Sequence, residues 1–490
     1  MKKYYLGIDV GGTNLKACVF DEKGTLVARK NVNTPVKAPF YGHYERDMDV
    51  LDESLREVIK GAIDEAKEKE NLKPEDILCV AATGHGKGIY LAGKNGEHIR
   101  PAIASTDFRA EEIVRRWEND GTAQKARKTI LGPIVACQPA PLLLWLKENE
   151  KDSYDRIGHI FEAKDYVRFY LTGEAIAEES DSSGTALMDL KKRVFSKELF
   201  DLYGIPEMFD KMPPVKKCSD ICGYVSEEAA ARTGLSKGTP VAGGMFDIDS
   251  CALSCGKLED EDICVVTGTW SINEYPSKSP KTKAASTKVS LYCDGKSYLV
   301  EESSPTSAGN LEWSMETILG EKSYEKAENI AKKFKADGCR AVFLPFLYGS
   351  MDGYGEGTFA RITTETTKEE LLRAVFEGVA MSHRVHIERL LQSDSGKKRL
   401  RITGGAARSN IWMQIFADVC GMTVVSVDSK ETGALGAVMA ASVAVGRLKD
   451  LAEASEKMSG EIRTFYPDMD EHVKYEEKFR LFKKLTECYK

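Results

Sequence analysis

The sequence predicts two α/β domains facing each other across a cleft, and three observations predict it. Apolar strands and amphipathic helices alternate along the chain. The second half echoes the first: residues 262–271 (DICVVTGTWS) form an apolar strand meeting a small polar turn, as residues 6–13 do, and residues 399–410 (RLRITGGAARSN) open into a glycine turn, as residues 77–88 do. At 490 residues the chain is also too long for one ordinary core, so two or three domains are expected.

Residues 6–24, LGIDVGGTNLKACVFDEKG, read as two strands joined by a tight turn. Leu6, Ile8 and Val10 alternate with smaller or polar residues, and Leu15, Ala17, Val19 and Phe20 follow the turn. Gly11 and Gly12 open backbone angles closed to other residues and bare amide N–H groups that can face an anion. Thr13 and Asn14 add short polar side chains. Asp9 sits just before the turn, where a carboxylate can hold a hydrated magnesium ion near phosphate oxygens. An ordinary surface hairpin carries the same turn, so this segment gains meaning from its companions.

A third strand spans residues 25–32. A helix follows, with Leu51, Leu55, Val58, Ile59, Ala62, Ile63 and Ala66 at helical spacing. Residues 76–82 (DILCVAA) are a buried strand running into Gly84-His85-Gly86-Lys87-Gly88, which is too rich in glycine for a helix. Residues 103–109 bring Asp107 and Arg109 together at an element end. Leu142, Leu143, Leu144 and Leu146 make an apolar helix around Trp145, and residues 165–173 (DYVRFYLTG) make another, stopped by Gly173. Pro213 and Pro214 break the chain ahead of residues 239–250 (TPVAGGMFDIDS), and a second domain begins just past that segment. Its strand at 262–271 is followed by a hairpin around Asp294-Gly295 and a long helix over 371–391. A helix of small residues over 431–445 is suited to close backbone approach, and a tail helix carries Tyr475, Phe479, Phe482 and Leu485 on one face.

Composition excludes several classes. Hydrophobic content of 42% and charged content of 30% fit a soluble globular protein. A net charge of −7 with both signs dispersed argues against a non-specific nucleic-acid binder. No apolar run is long enough to span a bilayer, and the start enters a strand at once, so the expected location is cytoplasmic, with no membrane or nucleic-acid partner. The 12 cysteines are scattered, several in apolar runs, and no disulfides are expected in a reducing compartment. Cys218 with Cys222 and Cys251 with Cys255 share a wider offset than zinc knuckles use, so no zinc site is expected. His383 and His386 lie one helical turn apart without an acidic or cysteine companion, which favours helix packing over metal.

Four glycine-rich turns need one explanation: Gly11-Gly12-Thr13, residues 84–88, Thr267-Gly268-Thr269 and Thr403-Gly404-Gly405. Each follows an apolar strand, and ligands of α/β sheets bind beyond the carboxyl ends of strands. Phosphate suits paired Gly/Thr turns. The chain has no G-x-x-x-x-G-K-[ST], and Gly84-His85-Gly86-Lys87-Gly88-Ile89 fails G-x-G-x-x-G at its last position.

In this order and spacing the motifs resemble those of the FGGY carbohydrate kinases, of the hexokinase/actin-like ATPase group. Asp9-Val10-Gly11-Gly12-Thr13 resembles the family's first phosphate motif and Thr267-Gly268-Thr269 its second. Gly404-Gly405-Ala406 through Asn410, followed by Trp412, Gln414 and Asp418, resembles the adenosine motif. Gly243-Gly244-Met245-Phe246-Asp247 is similar to the segment whose aspartate is the catalytic base. The resemblance implies two ribonuclease H-like domains. Residues 1–250 would bind sugar and carry the first phosphate motif; residues 251–490 would bind nucleotide. It implies ATP and Mg2+ as cofactors. Asp9 would hold the metal; Gly11, Gly12, Thr13, Asn14, Thr267, Gly268 and Thr269 would hold phosphates; Gly404, Gly405 and Asn410 would hold adenosine.

Phosphoryl transfer to a sugar hydroxyl needs a base, and Asp247 and Asp249 are rivals; in an extended segment both face the same side. The resemblance selects Asp247. His85, Lys87, Glu45 and Asp107 are the candidate sugar contacts, and Trp270 is either a stacking surface or a core residue. Runs such as Glu45-Arg46-Asp47-Met48 and Gly86-Lys87-Gly88 resemble the branch of the family that phosphorylates L-xylulose. The implied acceptor is therefore a ketopentose, with 3-keto-L-gulonate, L-ribulose, D-xylulose and erythritol open. Three departures stand out: Leu142 where lysine is frequent, Arg361 where glycine is usual, and Gly84-His85-Gly86-Lys87 where D-xylulose kinases resemble Gly-Gln-Met-His. The last argues against D-xylulose. A homodimer stays open, as do a non-catalytic sugar/nucleotide sensor and a sugar-independent ATPase.

Overall fold

The computed structural model describes residues 2–268, 270–284, 286–349 and 355–488. Each half is organised on one sheet. In the first half, β1 (Tyr4–Val10), β2 (Asn14–Asp21) and β3 (Leu26–Asn33) form a meander, followed by α1 (Met48–Glu70) and β4 (Ile77–Gly84). Further along come β5 (Ile221–Tyr224), β6 (Pro240–Ala242), β7 (Met245–Phe246) and α2 (Asp247–Ser254). The sheet runs β5-β6-β4-β1-β2-β3, with β7 also on β4.

The second half holds β8 (Asp262–Thr267), β9 (Ser271–Ser277), β10 (Lys288–Leu291), β11 (Tyr298–Ser304) and α3 (Lys368–Ser393). Then come β12 (Arg399–Gly404), α4 (Asn410–Cys420), β13 (Thr423–Asp428), α5 (Thr432–Ala444), β14 (Glu461–Phe465) and α6 (Met469–Glu487). Its sheet runs β10-β11-β9-β8-β12-β13-β14.

The two sheets share one wiring. β1 is antiparallel to β2 and parallel to β4, which is parallel to β6. β8 is antiparallel to β9 and parallel to β12, which is parallel to β13. The echo in sequence is thus an echo in topology. In both sheets two strands end side by side: Val10 pairs with Gly84, and Thr267 with Gly404. The glycine turns are neighbours for that reason.

Local sequence explains the elements. α1 buries Leu51, Leu55, Val58, Ile59, Ala62, Ile63 and Ala66, and Asp47 caps it by accepting from the Asp49 and Val50 amides. β8 is buried throughout, which is why it reads as one apolar run. α6 buries Tyr475, Phe479 and Phe482. α5 packs against β1, β4 and α2, so a helix of the second half closes on the first half's sheet. Its small residues permit this: a Cβ on Gly436 would stand 2.4 Å from the Ser250 carbonyl oxygen.

Between β4 and β5 the chain builds a separate core that includes Leu142, Leu143, Leu146, Trp117 and Tyr203. Leu142, one departure from the family pattern, is fully buried there. Arg361, another, has a left-handed φ of 61°, a conformation glycine adopts freely and a side chain holds at a cost of about 1–2 kcal/mol.

The cysteine pairs do not gather. Cys218 bonds to the Cys293 carbonyl, Cys251 contacts the Thr432 hydroxyl and Cys255 contacts Cys264. Among the described residues no helix is long and apolar enough to cross a membrane.

Candidate active site

Three of the four glycine turns meet between the sheets, and residues 84–88 line neither of the two cavities there. A cavity of about 400 Å³ is lined by Asp9, Gly11, Asp247, Gly268, Gly404 and Gly405, among others. An adjoining cavity of about 490 Å³ shares Gly268 and Gly405 and continues between Thr267, Ala406, Phe376 and Trp412. Residues from the ends of β1, β8 and β12 and from the start of α2 therefore face one continuous space.

Asp9 is the next-to-last residue of β1, and its side chain is 20% exposed. Lys16 lies 4.0 Å away but is closer to Glu431, at 3.1 Å. Burial pushes the Asp9 carboxyl up against the opposing pull of Lys16. The first turn of α5 abuts it: a Cβ on Gly433 would stand 2.8 Å from Asp9 Oδ2.

Asp247 and Asp249 separate because the segment does not stay extended. It turns into α2 at Asp247, and two helical residues diverge by about 200°. Asp247 lines the cavity and is only half-buried. Asp249 is fully buried and accepts from the Cys293 amide at 2.7 Å, anchoring the β10–β11 hairpin. Asp247 is not a helix cap; Phe246 holds that position without a side-chain bond. Burial, then the nearby Asp9, Asp181 and Glu301 carboxylates, hold the Asp247 carboxyl well above its ordinary range.

The phosphate turns are more selective than their composition suggests. The Gly11 amide closes its own turn onto the Asn14 carbonyl at 2.8 Å, so it is not offered to a ligand. Thr13 and Asn14 are exposed beside it. The Thr267 hydroxyl donates to the Thr403 carbonyl at 2.9 Å, stapling β8 to β12. Thr269 lies outside the described residues. Trp270 lines the cavity at 42% exposure and is not a core residue. Asn410, expected against adenosine, lines neither cavity: as the first residue of α4 its amide oxygen accepts from Arg463 on β14. Arg408 and Ser409 line the adjoining cavity instead.

The sugar candidates divide. Lys87 sits in the glycine turn beyond β4, partly buried, with a left-handed φ of 67°. Among the described residues no carboxylate lies within ion-pair distance of it. His85 is buried, with Nε2 3.1 Å from the Tyr90 hydroxyl and Nδ1 unpartnered; burial, then the Arg46 charge, lowers it to about 3. Glu45 and Asp107 are engaged in internal ion pairs. Glu45 is held by Arg100 at 2.6 Å and Arg109 at 3.0 Å. Asp107 is fully buried, paired with Arg109 and accepting from the Tyr44 amide at 2.6 Å. The acid–base proximity read at residues 103–109 is an internal ion pair.

Sequence reasoning passed over two supports. Arg46 lies under the first turn and donates to the Gly11 and Gly12 carbonyls. Its only signal was the run beside Glu45. In the second half, His383 is fully buried behind β9. Its Nδ1 donates to Asn273 Oδ1 at 2.8 Å, and the Ser307 hydroxyl donates to its Nε2 at 2.8 Å, a tautomer set by the amide oxygen it faces. Ser271, just past the second turn, lies 3.1 Å from the same ring. Burial lowers His383 to about 3, which keeps it neutral. His386 bonds to Glu302 and Ser304, so both histidines serve packing networks.

Comparison with known proteins bears on the same residues. The model of the FGGY family of carbohydrate kinases, N-terminal domain, matches residues 4–254, and that of its C-terminal domain matches residues 263–445. The chain is 35% identical over 494 residues to a probable L-xylulose kinase of Haemophilus influenzae, covering 99% of each. It is 36% identical over 488 residues to the L-xylulose/3-keto-L-gulonate kinase of Escherichia coli, covering 99% of this chain and 97% of that one. In fold it is similar to the crystal structure of a gluconate kinase from Lactobacillus acidophilus, with a TM-score of 0.88 at 22% identity over 100% of this chain and 98% of that one.

Proposed function

The chain belongs to the FGGY family of carbohydrate kinases, and we propose that it transfers the γ-phosphoryl group of ATP to a terminal hydroxyl of a ketopentose, L-xylulose first. It is a sugar kinase, a phosphotransferase with an alcohol acceptor. The observation that carries the finer reading is the shared cavity of Asp9, Asp247 and three separate glycine turns. The substrate is suggested by two full-length relatives named for L-xylulose.

In this proposal Asp247 takes the acceptor's proton as the new O–P bond forms. A carboxylate held toward its neutral form by burial and like charges is a stronger base once ionised. The Gly12 amide, Thr13, Asn14 and the Gly268 turn receive phosphate oxygens, and Gly404 and Gly405 border the adenosine side. His85 and the Lys87 ammonium are the sugar contacts. We assign the sugar to residues 1–250 and most of the nucleotide to residues 251–490, with closure of the cleft excluding water as a competing acceptor.

Asp9 fits a magnesium ion. Its carboxylate offers oxygens only, and its neighbouring cation is turned toward Glu431, which leaves a hard oxygen donor at the cavity wall. Magnesium bound with the nucleotide would neutralise charge on the transferring phosphoryl group.

The test is a coupled ADP-release assay with ATP and a panel of pentuloses, hexuloses, keto-sugar acids and polyols. The highest kcat/KM is expected for L-xylulose. ADP release that does not depend on any sugar, or no turnover with the whole panel, overturns the proposal.

A further inference from the structure

We propose that Arg46 is a positioning residue for the first phosphate turn: its buried guanidinium aims the Gly12 and Thr13 amides at the cavity and supplies the positive charge that nucleotide phosphates meet there. The inference rests on the nucleotide reading above and adds a residue to it.

Arg46 is 2% exposed. Its Nη2 donates to the Gly11 carbonyl at 2.9 Å and to the Gly12 carbonyl, and its Nη1 donates to the Tyr90 hydroxyl at 3.1 Å. A trans peptide sets each carbonyl opposite the next residue's amide. Fixing the Gly11 carbonyl therefore turns the Gly12 N–H away from Arg46, and fixing the Gly12 carbonyl does the same for Thr13. Neither amide has an acceptor among the described residues. Gly11 itself lines the cavity.

The charge is the second observation. Buried arginines are ordinarily paired with carboxylates, because an unpaired cation in a low-dielectric interior is costly. Among the described residues Arg46 has only neutral partners, and its Nε is buried with none. Its field reaches its neighbours: it pulls His85 down alongside burial, and it pulls Tyr90 down against a burial effect that raises that phenol overall. A cation kept without a counter-charge beneath a turn of free amides fits a site whose counter-charge arrives with the ligand, and a di- or triphosphate is the ligand chemistry that matches.

The experiment is calorimetric titration of the full chain with ATP, ADP and AMP, each with magnesium, for the parent, Arg46→Gln and Arg46→Lys. Arg46→Gln is expected to weaken ATP by about 30-fold or more, ADP less, and AMP by a much smaller factor. Arg46→Lys, which keeps the charge and loses the two-carbonyl fork, is expected to recover part of the ATP affinity. A uniform loss across the three nucleotides, or no loss, or a lysine variant no better than glutamine, overturns the proposal. If Arg46→Gln does not fold, the ATP-to-AMP ratio of Arg46→Lys decides by the same criterion. A parent that binds none of the three sinks the nucleotide reading itself, an outcome distinct from a parent that binds ATP and variants that bind it equally well.

Discussion

Replacing Asp247 with asparagine separates a catalytic carboxylate from a structural one, because the two roles predict opposite signs of stability change. The substitution is nearly isosteric, at a residue that begins α2 without capping it. Loss of a positioned base costs about 10²–10⁴ in turnover, or about 2.7–5.5 kcal/mol of barrier. Stability should move the other way. Burial, then Asp9, Asp181 and Glu301, raise the folded carboxyl above its ordinary 3.8, so the folded state binds the proton more tightly than the unfolded one. The contribution of the protonated group is complete below its ordinary pKa and is lost as pH rises through the folded value. The neutral amide of Asp247→Asn has no such loss, so the variant's melting temperature should match or exceed the parent's, with an advantage that grows with pH. The assay is kcat by coupled ADP release, with thermal melts at about pH 5 and about pH 8. Turnover within about tenfold of the parent would refute the base assignment. A variant that loses stability at high pH would show that the carboxylate's work is structural.

Three further outcomes follow from the geometry. Gly433→Ala places a methyl group 2.8 Å from Asp9 Oδ2, so the magnesium concentration for half-maximal activity should rise by about tenfold with little change in melting temperature; an unchanged magnesium titration removes Asp9 from the metal's environment. Asn410→Ala should leave KM for ATP within about twofold of the parent, because its side chain serves Arg463, and a large rise in KM would return it to the adenosine side. Asp181 is fully buried with its Oδ2 3.5 Å from Lys164 Nζ, and burial, against the pull of Lys164, raises it from 3.8 to about 7. The parent therefore loses stability as pH climbs through that window, and Asp181→Asn should gain melting temperature at about pH 8 relative to about pH 4; an equal gain at both would show that charge is not the cause.

Much of the fold was legible because the signals are local. The alternation in β1, the helical spacing of α1, the small residues of α5 and the aromatic face of α6 each record which side of one element meets a core. Parallel strands buried on both faces need apolar runs, so β4, β8 and β12 could be read too, together with the turns that end them. Side-chain commitments could not be read this way. Glu45 and Asp107 resembled ligand contacts in the sequence, yet Arg100 and Arg109 pair with them once the chain folds. The Asn410 amide oxygen accepts from Arg463, which β14 brings alongside.

By itself, the amino-acid sequence determined two related α/β halves and the glycine turns that follow their strands, because periodicity and turn chemistry depend on near neighbours along the chain. Only the tertiary structure decided which of two nearby aspartates faces the space between the halves, which amide of the first turn closes its own hairpin, and that a buried arginine with no carboxylate partner among the described residues lies beneath it. Those outcomes turn on where a helix begins and on which polar groups are left unpaired once distant segments pack together, and desolvation acts on the assembled arrangement alone.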